Sequence, residues 1–219
     1  DIDGAVTTYS YDENNNRIRQ TDANGHSTRM VYDGNDRLLE KQYPDGSTER
    51  FEYDAGGRVA RTVLPDGKYI DASYDGFGRP TGHNLNGEGT ESFTYDGAGR
   101  LTQAVNLWGT VDYRYDADGR VIEITSEGGH AVRYGYDALG NRTSISTRLS
   151  GQAERTTSYT YDALNRLATV VEPDGDTTTY SYDPVGNVAS INYPNGVVSS
   201  FTYDNLNQLT RIEHRQGAT

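Results

Sequence analysis

Ten Tyr-Asp pairs repeat along the chain, and each combines a phenol with a carboxylate, two groups that serve in general acid–base catalysis. A catalytic carboxylate needs one particular environment that shifts its pKa, and ten equivalent copies cannot all have it. We therefore expect a structural motif and no catalytic site. The pairs are Tyr11 Asp12, Tyr32 Asp33, Tyr53 Asp54, Tyr74 Asp75, Tyr95 Asp96, Tyr115 Asp116, Tyr136 Asp137, Tyr161 Asp162, Tyr182 Asp183 and Tyr203 Asp204.

The other residues with chemical potential are scattered. No histidine has a partner at metal-ligand spacing, although an array of hairpins could bring His26 and His130 together. The acidic pair around Gly175 is too short for a calcium loop, and the glycines of "GEGT" and "GAGR" lack the strand-to-helix context of a phosphate-binding loop. Because cysteine is absent, thiolate ligands and thiol nucleophiles are excluded. We expect neither a metal nor a cofactor.

The single tryptophan, Trp108, stands in "NLWGT", where other repeats have a Pro-Asp-Gly turn. If its ring is exposed, it could stack on a sugar or a protein partner; if it folds inward, it packs. Trp108 is the one candidate ligand contact in the sequence.

Composition limits the core and the partners. The chain has 219 residues, of which 33% are hydrophobic, and 18 are tyrosines. Mean hydropathy is −0.82, so apolar burial must depend on tyrosine. The formal net charge of −12 argues against nucleic acid as a partner, and no apolar run is long enough to span a membrane.

The spacing of the Tyr-Asp pairs is 21 residues in most of the chain, once 20 and once 25. The longest interval contains "STRLSGQAERT", where we expect a longer loop. Residues 1–219 thus form one array of ten repeats. The abrupt start and end suggest a fragment of a longer protein.

The residue four places after each tyrosine is always Gly, Asn or Asp, the types that tolerate positive φ. Asp at the first turn position and such a residue at the fourth predict a type I turn with a β-bulge, in which Asp bonds its own turn. The fourth-position residues are Asn15, Asp36, Gly57, Gly78, Gly99, Gly119, Gly140, Asn165, Gly186 and Asn207.

Arginine follows this turn in most repeats, and we expect it to form a cross-strand ion pair or to pack its stem over aromatic rings. It stands directly after the turn at Arg37, Arg58, Arg79, Arg100, Arg120 and Arg166, and one place later at Arg17 and Arg142. A second turn, written "YPDGS", "LPDGK", "EPDGD" or "YPNGV", closes four of the repeats.

An aromatic residue two places before most of the tyrosines gives the period-two alternation of a strand with one covered face. The pattern predicts an all-β, antiparallel array of about twenty strands of about seven residues. At about 4.8 Å per strand such a sheet is too wide to stay flat, so it should coil into a curved or spiral wall. A five-bladed propeller with two repeats in each blade is the alternative, although odd and even repeats look alike.

The recurring Y-D-x-x-G-R-L motif, with a P-D-G turn about ten residues later, resembles the YD (RHS) repeat. That family includes Rhs polymorphic toxins, the cocoon subunits of insecticidal Tc toxins, and teneurins. The resemblance extends from about Tyr9 to Ile212. The self-cleavage region of such toxins has no match, because the D-P-x-G at Asp183–Gly186 lies inside an ordinary repeat.

The resemblance implies a β-sheet strip that spirals into a hollow shell around a toxic domain. From it we expect a structural, non-enzymatic segment of a bacterial shell, secreted or at the cell surface. Its partners would be the remaining repeats of the shell and the enclosed toxin domain. The alternative is a module that binds carbohydrate or a cell-surface partner.

Overall fold

The computed structural model describes residues 5–216, and its regular structure there is entirely β-strand, as the period-two alternation predicts. The first ten strands are β1 (Thr8–Tyr11), β2 (Arg17–Thr21), β3 (Ser27–Tyr32), β4 (Leu38–Gln42), β5 (Thr48–Tyr53), β6 (Val59–Val63), β7 (Tyr69–Tyr74), β8 (Pro80–Leu85), β9 (Thr90–Tyr95) and β10 (Leu101–Asn106). The other ten are β11 (Gly109–Tyr115), β12 (Val121–Ser126), β13 (His130–Tyr136), β14 (Arg142–Arg148), β15 (Arg155–Tyr161), β16 (Leu167–Val171), β17 (Thr177–Tyr182), β18 (Val188–Asn192), β19 (Val197–Tyr203) and β20 (Leu209–Gln216). Within residues 5–216 nothing forms a helix with the length and apolar character that a membrane crossing requires.

The chain divides into two units, Asp1–Thr110 and Val111–Thr219. In the first unit, each of β1–β10 pairs antiparallel with its neighbours in sequence. In the second, β11–β20 pair in the same way. The expected antiparallel array of twenty strands is confirmed.

The propeller alternative is wrong. Blades of two repeats would break the hydrogen-bonded ladder after every fourth strand. In the first unit, however, β4 pairs with β5 through Glu40 and Arg50. In the second, β16 pairs with β17 through Thr169 and Thr179. Each unit is therefore a continuous sheet of hairpins without separate blades.

The strands contain four to eight residues, and most are shorter than the seven expected. The reason is local, since each turn with its flanks removes about five residues from the ladder, as Asp33–Arg37 and Tyr43–Ser47 do in the second repeat. The segment Leu149–Glu154 forms the longer loop predicted for the 25-residue interval, and the strands on either side of it have seven residues each.

The aromatic residues two places before the Tyr-Asp pairs lie on one face within each unit. In the second unit Tyr134 is opposite Ile145, which is opposite Thr157, and Thr157 is two residues before the next aromatic, Tyr159. Because residues two apart on a strand share a face, the aromatic series stays on one side. Contacts of tyrosine with β-branched partners such as Ile145 each contribute about 0.2–1 kcal/mol.

Burial in this open sheet is shallow. Among the described residues, the buried apolar side chains are Met30 and Ala131, at 6% and 4% exposure, and Ser199 is 1% exposed. Most strand residues are half-buried. Stability must therefore come from the ladder hydrogen bonds and from many modest contacts between neighbouring hairpins, as expected for repeat arrays.

Candidate functional site

The Asp of each Tyr-Asp pair closes its own turn. In the third repeat, Asp54 Oδ1 accepts hydrogen bonds from the backbone N–H of Gly56 at 2.8 Å and of Arg58 at 2.9 Å. The Gly57 N–H donates to the Asp54 carbonyl at 3.0 Å. The carboxylate thus satisfies amides that the turn leaves unpaired, which confirms the bonding inferred from the sequence.

All ten fourth-position residues have positive φ, and the ladder shifts register by one residue at the turn. The predicted turn with a β-bulge is confirmed. The φ angles are Asn15 72°, Asp36 60°, Gly57 79°, Gly78 82°, Gly99 84°, Gly119 83°, Gly140 88°, Asn165 66°, Gly186 100° and Asn207 60°.

The arginine after the turn forms an ion pair with the Asp at the first position of that turn. Arg58 Nε donates to Asp54 Oδ2 at 2.7 Å, and its Nη2 lies 2.6 Å from the same oxygen. This hydrogen bond is the main reason that the pKa of Asp54 lies below its ordinary value. Arginine lowers the pKa in the same way for Asp33 and Asp162.

The same guanidinium reaches into the next repeat. Arg58 lies over the Tyr74 ring, 4.7 Å from its centroid, and donates from Nη1 to the Asp75 carbonyl at 3.2 Å. Both arrangements considered for this arginine, ion pair and aromatic packing, therefore occur together. Equivalent stacks join Arg37 to Tyr53, Arg79 to Tyr95, Arg120 to Tyr136 and Arg166 to Tyr182.

The tyrosine hydroxyl of the pair provides a second link between repeats. Tyr53 donates to the Leu38 carbonyl, 15 residues earlier, at 2.8 Å. Burial raises the pKa of Tyr53, so the phenol stays protonated and acts as a donor. The corresponding bonds are Tyr32 to Arg17, Tyr74 to Val59, Tyr95 to Pro80, Tyr136 to Val121, Tyr161 to Arg142, Tyr182 to Leu167 and Tyr203 to Val188.

Sequence reasoning missed this tyrosine bond. Its signal was present in the interval between the tyrosine and the start of the preceding return strand, which is 15 residues in most repeats. The interval is 14 residues between Leu101 and Tyr115, and in the 25-residue repeat Tyr161 reaches back 19 residues to Arg142.

Asparagine replaces the arginine that pairs with the turn Asp in three of the repeats where the arginine is displaced or missing, at Asn16, Asn141 and Asn187. Asn141 Nδ2 donates to Asp137 Oδ2 at 2.9 Å, and Asn187 donates to Asp183 at the same distance. The displaced Arg142 lies over Tyr134 instead, 5.0 Å from the ring centroid. The turn geometry therefore persists without arginine. The stack on the tyrosine of the next repeat, in contrast, requires the longer arginine side chain.

Trp108 is exposed, at 86%, beside Leu107 at 58%. Its backbone N–H donates to Asn106 Oδ1 at 2.9 Å. The side chain of Leu107 lies against Gly89, where a Cβ atom would be 2.5 Å from a Leu107 methyl carbon. Of the two positions considered for Trp108, the structure shows the exposed one.

The four histidines each take part in separate contacts. His26 pairs with Asp22 at 3.2 Å, and His83 pairs with Glu91 at 2.9 Å. His214 Nδ1 lies 2.7 Å from the buried Ser199 hydroxyl, and His130 accepts the Ser150 N–H at 3.3 Å. Within residues 5–216, no three potential metal ligands cluster.

The rim formed by the Tyr-Asp turns carries exposed apolar side chains at the third turn position. In the second unit four successive turns present one, and in the first unit Phe77 is 88% exposed. At two strands per repeat, neighbours in this row are about 10 Å apart. The row, called the apolar rim below, consists of Leu139, Leu164, Val185 and Leu206, which are 78%, 70%, 71% and 71% exposed.

Solved structures similar to this chain include those of TcdB2-TccC3 and of a Tc holotoxin pore. The crystal structure of TcdB2-TccC3 without its hypervariable C-terminal region matches 97% of the chain at 18% identity, with a TM-score of 0.51. A second structure of TcdB2-TccC3 matches 97% of the chain and 16% of its own length at 18% identity, with a TM-score of 0.48. The Tc holotoxin pore of Photorhabdus luminescens matches 98% of the chain and 18% of its own length at 14% identity, with a TM-score of 0.45.

The first of these similarities shows a shared fold. This chain spans about 15% of the length of that structure. No curated protein matches the chain.

The RHS Repeat family model matches the chain seven times, at residues 1–28, 32–69, 73–108, 115–153, 147–177, 161–198 and 182–219. These matches cover nearly the whole sequence, and they contain the turns, the Asp–Arg ion pairs and the tyrosine hydrogen bonds described above. The chain belongs to the RHS repeat family.

Proposed function

We propose that this chain is a non-catalytic segment of a bacterial shell whose wall encloses or supports a toxin domain. The observation that carries this proposal is the link between repeats. In this link the arginine of one repeat stacks on the tyrosine ring of the next, and the hydroxyl of that tyrosine donates a hydrogen bond to a backbone carbonyl of the first. Such a link can be repeated indefinitely, because each repeat is both donor and receiver. In this proposal the Tyr, Asp, Gly and Arg of the motif have a structural role, which is to hold neighbouring repeats of the wall together.

The wall is part of a longer shell, in our proposal, and residues 1–219 are one stretch of it. The chain matches only about 15% of the length of the TcdB2-TccC3 structure, which was solved without its hypervariable C-terminal region. A sheet that continues beyond ten strands must curve, since wide open sheets twist. A curved wall of this kind would surround a volume in which a second domain fits.

The apolar rim supports contact with further repeats of the same shell. Its exposed side chains recur at the period of the repeat itself, about 10 Å. Another row of the same repeats has the same period and would meet every member of the row. We infer that the apolar rim packs against another part of the wall, and that the protein works in a secreted toxin complex.

A deletion in the complete shell protein tests this function. Removing one repeat, residues 74–94, should leave a folded β protein, because each repeat contacts mainly its neighbours. The shortened wall should no longer close correctly, so the enclosed domain should become sensitive to added protease. A matched control exchanges the same repeat for the repeat at residues 53–73 and should keep the domain protected. Equal protease sensitivity of the intact protein and the deletion would refute enclosure.

A binding module is the second candidate function, and the exposed Trp108 favours it. A ring with 86% exposure beside Leu107 could stack on a sugar. A glycan array discriminates the two functions, since a wall segment should show no saturable binding. A reproducible sugar that binds the wild type but not Trp108→Ala, with Phe77→Ala as the control, would establish the binding module instead.

A further inference from the structure

Two arginines face each other on adjacent strands near the start of the array. Arg19 in β2 is directly opposite Arg29 in β3, and Arg29 is opposite Gln42 in β4. Directly opposed residues share a face, with Cβ atoms about 4.5–5.5 Å apart. Like charges in this position destabilise a sheet.

Neither arginine has a protein partner among residues 5–216. Glu40, two residues before Gln42, lies on the same face, but its carboxylate accepts from Arg50 Nε at 2.8 Å. Ser10, on the other side of Arg19, contributes no charge. Two arginine side chains therefore share a face on adjacent strands without an ion-pair partner among residues 5–216, in a chain whose net charge is −12.

A cleft of about 500 Å³ lies beside these arginines, at the second-turn rim of the first two repeats. Its walls include both guanidinium-bearing side chains together with His26, Ser27 and Gln42. Among the described residues no aspartate or glutamate is part of these walls, and the carboxylate next to them is that of Asp22, which lies 3.2 Å from His26 Nδ1. Hydrogen-bonding side chains of four types, guanidinium, imidazole, hydroxyl and amide, thus line one open site.

We propose that this cleft binds a tetrahedral dianion, the phosphate or sulfate class. The two guanidinium groups supply two positive charges and N–H donors from two side chains. A tetrahedral dianion has two negative charges and four acceptor oxygens, so it can pair with both groups at once. A single carboxylate would use both of its oxygens in a bidentate pair with one guanidinium group and would neutralise only one of the two positive charges. The bound anion also removes the repulsion between Arg19 and Arg29. This site is independent of the wall function.

Calorimetric titration with inorganic phosphate, at constant ionic strength, tests the site directly. The wild type should bind saturably, and Arg19→Gln/Arg29→Gln should weaken binding at least about tenfold, because charge-assisted hydrogen bonds are lost. Arg29→Lys should bind with intermediate affinity, since it keeps the charge without the fork. Arg155→Gln is the matched control and should bind as the wild type does, because Arg155 is also a strand arginine without an ion-pair partner in residues 5–216 but has Thr147 opposite it.

Arg29→Glu separates loss of binding from loss of folding. A glutamate opposite Arg19 forms a cross-strand ion pair, so this variant should have a higher melting temperature than the wild type in phosphate-free buffer, yet bind no phosphate. Inorganic sulfate, glucose 6-phosphate and glucose 6-sulfate, titrated in parallel, distinguish the free ion from an ester as ligand. Absence of saturable phosphate and sulfate binding to the wild type, or unchanged binding in Arg29→Glu, would overturn the proposal.

Discussion

Arg58 and Tyr74, one repeat apart, form a reciprocal contact. The guanidinium lies 4.7 Å from the centroid of the Tyr74 ring, while the Tyr74 hydroxyl donates at 2.9 Å to the carbonyl of Val59, the residue after Arg58. Arg58 is meanwhile held by Asp54 at 2.7 Å. One tyrosine therefore anchors both the side chain and the backbone of the preceding turn.

Arg58→Ala should lower the free energy of unfolding by about 1 kcal/mol, the sum of a half-exposed ion pair and a cation–π contact. The measurement is a urea titration, compared with Arg155→Ala, which removes a strand arginine that has no ion-pair partner in the part of the chain the structure describes and should change stability by less than about 0.5 kcal/mol. A double-mutant cycle with Tyr74→Leu should give a coupling of at least about 0.5 kcal/mol. Additive effects would contradict the contact.

Tyr74→Phe should cost about 1 kcal/mol, because it leaves the ring and removes only the hydrogen bond to Val59. Tyr11→Phe is the matched control, since Tyr11 belongs to the first Tyr-Asp pair and is 55% exposed. Its hydroxyl has no protein partner within the described part of the chain, so the change should be near zero. Equal destabilisation of the two variants would show that the hydroxyl bond contributes nothing.

Gly99→Ala should destabilise by at least about 1 kcal/mol, because φ is +84° and the new Cβ would lie 3.3 Å from Arg79 Nη1. Gly97→Ala tests the same turn at a position without positive φ and with nothing within 4 Å of its Cβ. That control should leave stability unchanged or slightly raised, as thermal unfolding would show. The reverse order would exclude the turn assignment.

Lowering the pH should reduce the free energy of unfolding of the array, because it protonates the aspartates that pair with arginine. The pKa values of Asp33, Asp54 and Asp162 are lowered in the folded state, chiefly by hydrogen bonds from arginine. Their stabilising effect is complete above the unfolded-state pKa of about 3.9 and is lost as the pH falls through the lower folded-state values. Chemical unfolding measured from pH 6 to pH 2 should show this loss.

Asp54→Asn isolates one of these groups. Its amide oxygen still accepts the turn N–H bonds, but it does not titrate, so the variant should lose less stability than the wild type between pH 5 and pH 2. Identical pH profiles for the two proteins would contradict a contribution from the Asp54–Arg58 ion pair.

Local features of the fold could be predicted from the sequence because they depend on single residues and short intervals. Positive φ at the fourth turn position follows from Gly, Asn or Asp alone, and all ten positions adopt it. The two-residue alternation likewise determined the strands and the aromatic face, since side chains alternate along any extended backbone. The repeat interval identified the family for the same reason.

Contacts between repeats were decided only by the tertiary structure. The stack of Arg58 on Tyr74 requires residues 16 apart in sequence to meet, and the sequence left open whether the arginine would pair with Asp or pack on a ring. Register, set by the bulges and turns together, placed Arg19 opposite Arg29 and left Trp108 at the surface. Each of these outcomes depends on how one hairpin aligns with the next, because a shift of a single residue would turn every side chain to the other face.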